Sequence, residues 1–299
     1  MTLRQGLVLA VGVIAISWAA PLIRLAHEAP VLVIAALRLC IAAPPMAVVA
    51  LATGGTGQWQ RLRRRDLALL VIAGVALAAH FAFWIASVQR TSIMASVVLV
   101  TMQPLFVSVI AWLTLRERPP ARVIAGIAIG TVGALMLAGA DLGDAGSLGG
   151  DLLALLGAVT VSVYLVIGRD ARARISTAAY TAVVYSVTAL VLLALVLASG
   201  TAIGGAPRET YLFIALLALG PQLIGHSALN WALGVLPAAV VAVVILGEPV
   251  GATLIAAVVL DELPRALQWA GAAVVLAGVY VALRVPPRPA VPLTAPVEL

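Results

Sequence analysis

Residues 94–120 read MASVVLVTMQPLFVSVIAWLTLRERPP, and residues 239–265 read AVVAVVILGEPVGATLIAAVVLDELPR. Laid over one another at a shift of 145 residues, without a gap, Pro104 meets Pro249, Leu115 meets Leu260, Glu117 meets Glu262 and Pro119 meets Pro264. Further along, Gly126 falls on Gly271 and Gly133 on Gly278; Gln103 falls on Glu248, and Ser17 on Ser162. His80 and His226 correspond with a slip of one residue. Alanine and valine would coincide by composition in so apolar a chain, but proline, glutamate and glycine would not. The sequence is therefore two related halves, 1–148 and 149–285, followed by a short tail.

Each half is a series of membrane spans. Of the 299 residues 63% are hydrophobic and 10% charged, and the mean hydropathy is +1.15. A soluble domain is about 45–50% apolar and about 25% charged, so a soluble globular enzyme is excluded. A helix needs about 20 apolar residues to cross a bilayer core. Ten runs qualify: 5–25, 30–53, 66–88, 91–115, 119–140, 151–168, 177–199, 210–232, 236–260 and 264–285. The first is too long for a cleaved signal peptide and belongs to the repeat. Five spans per half is an odd number, so the second half enters the membrane upside down relative to the first. The expected fold is all-α: ten transmembrane helices in two inverted five-helix repeats around a central cavity, an arrangement typical of secondary transporters. A symmetric channel is the alternative.

All 18 basic residues are arginine. With the N-terminus inside, 13 arginines fall in cytoplasmic segments and 4 in outer ones, with Arg38 inside a span. The positive-inside rule then places both termini in the cytoplasm, and the expected location is a bacterial inner membrane. The high pI, near 10.4, is explained by this topology and needs no nucleic-acid partner. The loop 141–150, DLGDAGSLGG, carries only acidic charge. The tail 286–299, PPRPAVPLTAPVEL, has five prolines and no periodic pattern, and is expected to be disordered.

The absence of lysine excludes a phosphate-binding GKS/T loop, a pyridoxal or retinal Schiff base and an SxxK nucleophile. The chain by itself is thus no P-loop ATPase, and no ATPase subunit is expected. A single cysteine, Cys40, excludes an internal disulfide. His27, His80 and His226 are too scattered for a metal cluster, so neither metal nor cofactor is expected. GxSxG and HExxH are both missing, which leaves an intramembrane enzyme without a nucleophile or a metal triad.

Charge inside a bilayer costs about 2.5–3.5 kcal/mol on insertion scales. Glu248 lies about 18 Å into the ninth span at about 1.5 Å per residue, near mid-depth, between Gly247 and Pro249. Proline frees a carbonyl one turn back, and broken helices at mid-depth are a common way to build a transport site. Gln103–Pro104 is the inverted counterpart, so kinks at Pro104 and Pro249 should face each other. Glu248 would bind a substrate ammonium or a coupling proton, with Gln103 as neutral partner; a structural carboxylate is the other reading. His80 and Trp84 share a face one turn apart, as do His226 and Asn230, with Trp231 alongside; these could line a cavity, or simply pack. Arg38 could grip a carboxylate through two hydrogen bonds, or snorkel outward. Trp18, Tyr164, Tyr180, Tyr185 and Ser17 are further cavity candidates. Glu117 and Glu262, each two residues before a proline, read as helix-end punctuation or as gate charges. Gly126, Gly130 and Gly133 form a small-residue packing face; a dimer interface is the weaker alternative, leaving a monomer or weak dimer.

FxFWxxS at 81–87, Pro104, LRERP at 115–119 and GxxxGxxG at 126–133, with NWA at 230–232, LGEP at 246–249, LDELP at 260–264 and GxxxxxxG at 271–278, resemble the EamA-type repeat of the drug/metabolite transporter superfamily. ALRLC around Arg38 is similar to the family's Arg-aromatic pair, with Leu39 in place of the aromatic. The chain looks most like the YddG-type aromatic amino acid exporters. That resemblance implies ten spans, a central cavity, no ATP hydrolysis, and export of amino acids, aromatic and others, or related metabolites. Other amphipathic metabolites or drugs are the alternative cargo.

Overall fold

The computed structural model describes residues 2–138, 148–259 and 265–284. Regular structure among them is entirely helical. Nine stretches are long and apolar enough to cross a membrane: Leu3–Leu25, Val31–Ala52, Arg64–Val88, Ile93–Leu115, Leu148–Arg172, Thr177–Ala198, Arg208–Leu233, Ala238–Val259 and Ala266–Leu283. The expected fifth span, 119–140, is represented by a shorter helix, Ala121–Ala138, which runs to the edge of the described residues. Residues 141–147 of the acidic loop, Glu262 and Pro264, and the tail 286–299 lie outside the described residues.

Several spans are not single helices. The first is α1 (Leu3–Ser17) followed by α2 (Ala19–Leu25). After it come α3 (Val31–Ala52), the short α4 (Gly55–Gln60) and α5 (Arg64–Val88). The fourth span is α6 (Ile93–Val100) and α7 (Gln103–Leu115), and α8 (Ala121–Ala138) closes the first half. The second half holds α9 (Leu148–Arg172), α10 (Thr177–Ala198), α11 (Arg208–Leu217), a π-helical stretch (Ala218–His226) leading into α12 (Ser227–Leu233), then α13 (Ala238–Ile245), α14 (Glu248–Val259) and α15 (Ala266–Leu283).

Proline explains the two mid-span breaks. Pro104 and Pro249 each stand second in their helix, α7 and α14. A proline ring clashes with the carbonyl four residues before it; those residues are Val100 and Ile245, the last of α6 and α13. The expected kinks in continuous helices are thus full breaks, two residues wide, at 101–102 and 246–247. The π-helical turns around Pro221 interrupt 210–232, whose unbroken apolar character points to one regular helix.

Packing follows the repeat. Helix α3 lies against α10, α8 against α15, α5 against α9, and α1 against the π-helical stretch and α12. Under the 145-residue correspondence the first two pairs map onto themselves and the last two onto each other. The α8/α15 contact is an antiparallel glycine seam. A Cβ on Gly278 would sit 2.5 Å from the Gly130 nitrogen and 2.7 Å from the Gly126 oxygen; one on Gly133 would sit 2.8 Å from the Gly271 oxygen. Lipid gives helices no hydrophobic reason to associate, so such close backbone approach supplies the contact instead. Large apolar side chains such as Leu7, Val48, Val109, Leu190 and Val258 are left on the outer faces.

Candidate functional site

The two broken spans meet at one cavity. Val100, Thr101 and Gln103 come from the α6–α7 break, and Ile245 and Glu248 from the α13–α14 break. His80 and Trp84 of α5 form part of the wall, with Val161 and Leu165 of α9, Ile16 and Ala19 of the first span, and His226 and Leu229 of the eighth. The lining is itself duplicated: Ile16 and Val161, Val100 and Ile245, and Gln103 and Glu248 each stand 145 residues apart.

Hydrogen bonding repeats the pattern. The Ser17 hydroxyl donates to the Val13 carbonyl four residues back, 2.8 Å, and lies 3.4 Å from the Glu248 carbonyl in the other half. The Ser162 hydroxyl donates to the Ala158 carbonyl, 2.6 Å, and lies 3.2 Å from the Gln103 carbonyl. Each half thus braces the other half's break with one serine.

Glu248 is 7% exposed and is the charged residue among those lining the cavity. Neither its carboxylate nor the Gln103 amide has a hydrogen-bonding partner among the described residues, so both are free for a bound group. His80 donates from Nδ1 to the Gly157 carbonyl, 2.9 Å, which fixes the proton there and leaves Nε2 as an acceptor. Its ring stacks on Trp84, with centroids 5.8 Å apart. Trp84 Nε1 is buried with no acceptor. The site therefore offers a carboxyl group, an amide, a histidine and an aromatic donor within an apolar frame. Its volume is about 30 Å³, enough for about two waters.

Other candidates form a second group behind this wall. Arg38 is fully buried; its Nε donates to Gln222 Oε1 at 2.8 Å, and its Cζ lies 4.1 Å over the Phe81 ring. The Tyr164 hydroxyl donates to Asn230 Oδ1, 2.7 Å, and Asn230 Nδ2 donates to the Tyr185 hydroxyl, 3.3 Å. The Tyr180 hydroxyl lies 3.5 Å from the Tyr164 carbonyl. Arg172 donates to the carbonyls of Asn230 and Ile175. Trp18 is 41% exposed, and Trp231 lies under the Arg4 guanidinium; neither lines the cavity. Glu117 pairs with Arg169 at 3.1 Å, and Arg169 also donates to the Leu233 carbonyl, so three helix ends are tied together. Gln222 was missed in the sequence; its one visible signal was an amide beside Pro221 in an otherwise apolar run.

Solved structures resemble this chain; one of them, a crystal structure, does so with a TM-score of 0.77 and 20% sequence identity, covering 93% of this chain and 96% of its own. At that identity the likeness speaks to fold alone. No curated protein matches the chain by sequence. The EamA-like transporter family matches twice, at residues 5–139 and 148–284, once in each half. The chain belongs to the EamA-like transporter family, which makes it an integral multi-pass membrane transporter of the drug/metabolite transporter superfamily.

Proposed function

We propose that the protein is a secondary transporter of the bacterial inner membrane that exports amino acids, aromatic and others, or related small metabolites by alternating access. In this reading it has ten spans in two inverted five-helix repeats, 1–148 and 149–285, with both termini cytoplasmic. The observation that carries it is the facing pair of broken spans, which present an unpartnered carboxylate, Glu248, and an unpartnered amide, Gln103, to one cavity. Half-helices meeting at mid-depth are suited to binding a polar solute group. Glu248 receives an ammonium group or a proton; Gln103, His80 and His226 supply hydrogen bonds, and Trp84 supplies an aromatic wall. Arg38, Asn230 and Tyr164 belong to the same reading as polar groups behind that wall. The reciprocal serine braces and the duplicated lining support an exchange of conformations between the halves.

The test is uptake into proteoliposomes of labelled amino acids, aromatic ones included, with and without a pH gradient, beside Glu248→Gln. Saturable uptake with counterflow is expected, and loss of it in the variant. Absence of uptake by folded protein would overturn the amino-acid assignment. Full-rate transport by the variant would overturn the role of Glu248.

A further inference from the structure

Behind the cavity wall lies a set of hydrogen-bond donors with nothing to bind. Arg38 Nη1 and Nη2 and Gln222 Nε2 are all buried, and none has a partner. The single bond from Arg38 Nε to Gln222 Oε1 holds these three nitrogens together. No carboxylate pairs with the guanidinium: among the described residues the ion pairs are Arg169–Glu117, Arg174–Asp66 and Arg174–Asp170. The Glu248 charge acts on the guanidinium through space but forms no ion pair with it. Buried donors left without acceptors are strongly disfavoured, so the three nitrogens are satisfied only when an acceptor enters.

The geometry also limits which anion fits. Phe81 covers one face of the guanidinium at 4.1 Å, so approach is along the edge that carries Nη1 and Nη2. That edge matches a planar two-oxygen acceptor bound by parallel hydrogen bonds, and one positive charge balances one negative charge. The same Phe81 ring meets the His226 ring edge-on at 5.5 Å, and His226 lines the cavity. These two contacts place the guanidinium no more than about 10 Å from the His226 ring, with Phe81 between them.

We infer that Arg38 and Gln222 form a carboxylate-binding subsite, entered from the cavity past Phe81 and His226. The inference rests on the proposed reading of the cavity as the solute site and narrows it: the solute carries a carboxylate. Cationic amines without one are poor cargo.

The test uses full-length protein in nanodiscs, in a sulfonate buffer free of carboxylate and chloride, with thermal melting as the readout. The probes are phenylacetate (carboxylate without ammonium), phenethylamine (ammonium without carboxylate) and chloride. Phenylacetate well above its Kd should raise the melting temperature by about 2 °C or more in the wild type. It should do so equally in Gly149→Ala, a substitution with open space around it, and not in Arg38→Gln. Gln222→Glu places a carboxylate on the guanidinium; it should melt higher than wild type and ignore phenylacetate, so it decides the matter even if Arg38→Gln fails to fold. No response of the wild type, or an equal response in Gln222→Glu, overturns the subsite. If chloride alone reproduces the stabilisation, the site takes an inorganic anion and the carboxylate assignment falls. Amino-acid flux that persists without any phenylacetate response would remove the subsite and leave the transport reading. An Arg38-dependent response without flux would do the reverse.

Discussion

Gly251→Ala tests the brace between the first span and the α13–α14 break. An added Cβ would lie 2.2 Å from the Ser17 hydroxyl oxygen and 2.7 Å from Ser17 Cβ. Carbon atoms rest about 3.5–4.0 Å apart, so about 1 Å of separation is required. Rotating Ser17 moves its oxygen but not its Cβ, and gives up the contacts to Val13 and Glu248. Overpacking costs about 1–3 kcal/mol, and the lost hydrogen bonding about 0.5–1.5 kcal/mol. Alanine in a helix returns about 1 kcal/mol relative to glycine. The net expectation is a loss of about 1–3 kcal/mol, or roughly 2–10 °C in melting temperature. Ser17→Gly removes both clashing atoms, whereas Ser17→Ala removes only the oxygen. In double-mutant cycles scored by thermal melting, Ser17→Gly should rescue Gly251→Ala with a coupling of about 1 kcal/mol or more, and Ser17→Ala should rescue it less. A Gly251→Ala protein as stable as wild type, or additive double variants, would refute the close packing of α1 on α14.

At the glycine seam, Gly278→Val should cost about 3 kcal/mol or more, because every nearby atom is backbone; Gly149→Ala, with open space around it, should leave the melting curve unmoved. Arg116 adopts φ 56° at the end of α7, so Arg116→Gly should raise stability by up to about 1 kcal/mol. Glu117→Gln and Arg169→Ala should each cost about 1–2 kcal/mol, since both side chains are only 25% exposed and losing a charge-assisted hydrogen bond there strands the partner, and the arginine change should cost more because it also frees the Leu233 carbonyl. In a Cys40→Ser background, Gly57→Cys should be labelled by an impermeant thiol reagent only from the cytoplasmic side and Gly204→Cys only from the outside; both being labelled from one side would refute the proposed topology.

Apolar length and arginine placement made the spans legible, because a bilayer imposes both on the sequence directly. The positions of the two mid-span breaks were visible as expected kinks, since proline acts locally at Pro104 and Pro249; the division of the first span at Trp18 and the π-helical turns were not. Glu248, Gln103, His80, Trp84 and His226 could be grouped in advance through the duplication, which maps one half's site onto the other's. Arg38 and Gln222 could not: they meet across 184 residues, and no periodicity links α3 to the π-helical stretch. Trp18 and Tyr164 looked alike as aromatic residues in a span. Only packing separates them, leaving Trp18 at the outer face and Tyr164 bonded to Asn230.

The size of the cavity has a consequence for energy conservation in the cell. Ligand sites usually measure about 300–1,000 Å³, and this one measures about 30 Å³. With room for about two waters, it holds too little solvent to form a hydrated wire from one face to the other. In this state the cavity offers ions no continuous path of water. Under the alternating access proposed above, an ion or solute crossing by this cavity waits for the helices to part, so leakage is set by how often the protein changes shape and not by diffusion. A membrane that stores energy as an ion gradient can carry many copies of such a protein without being discharged by them.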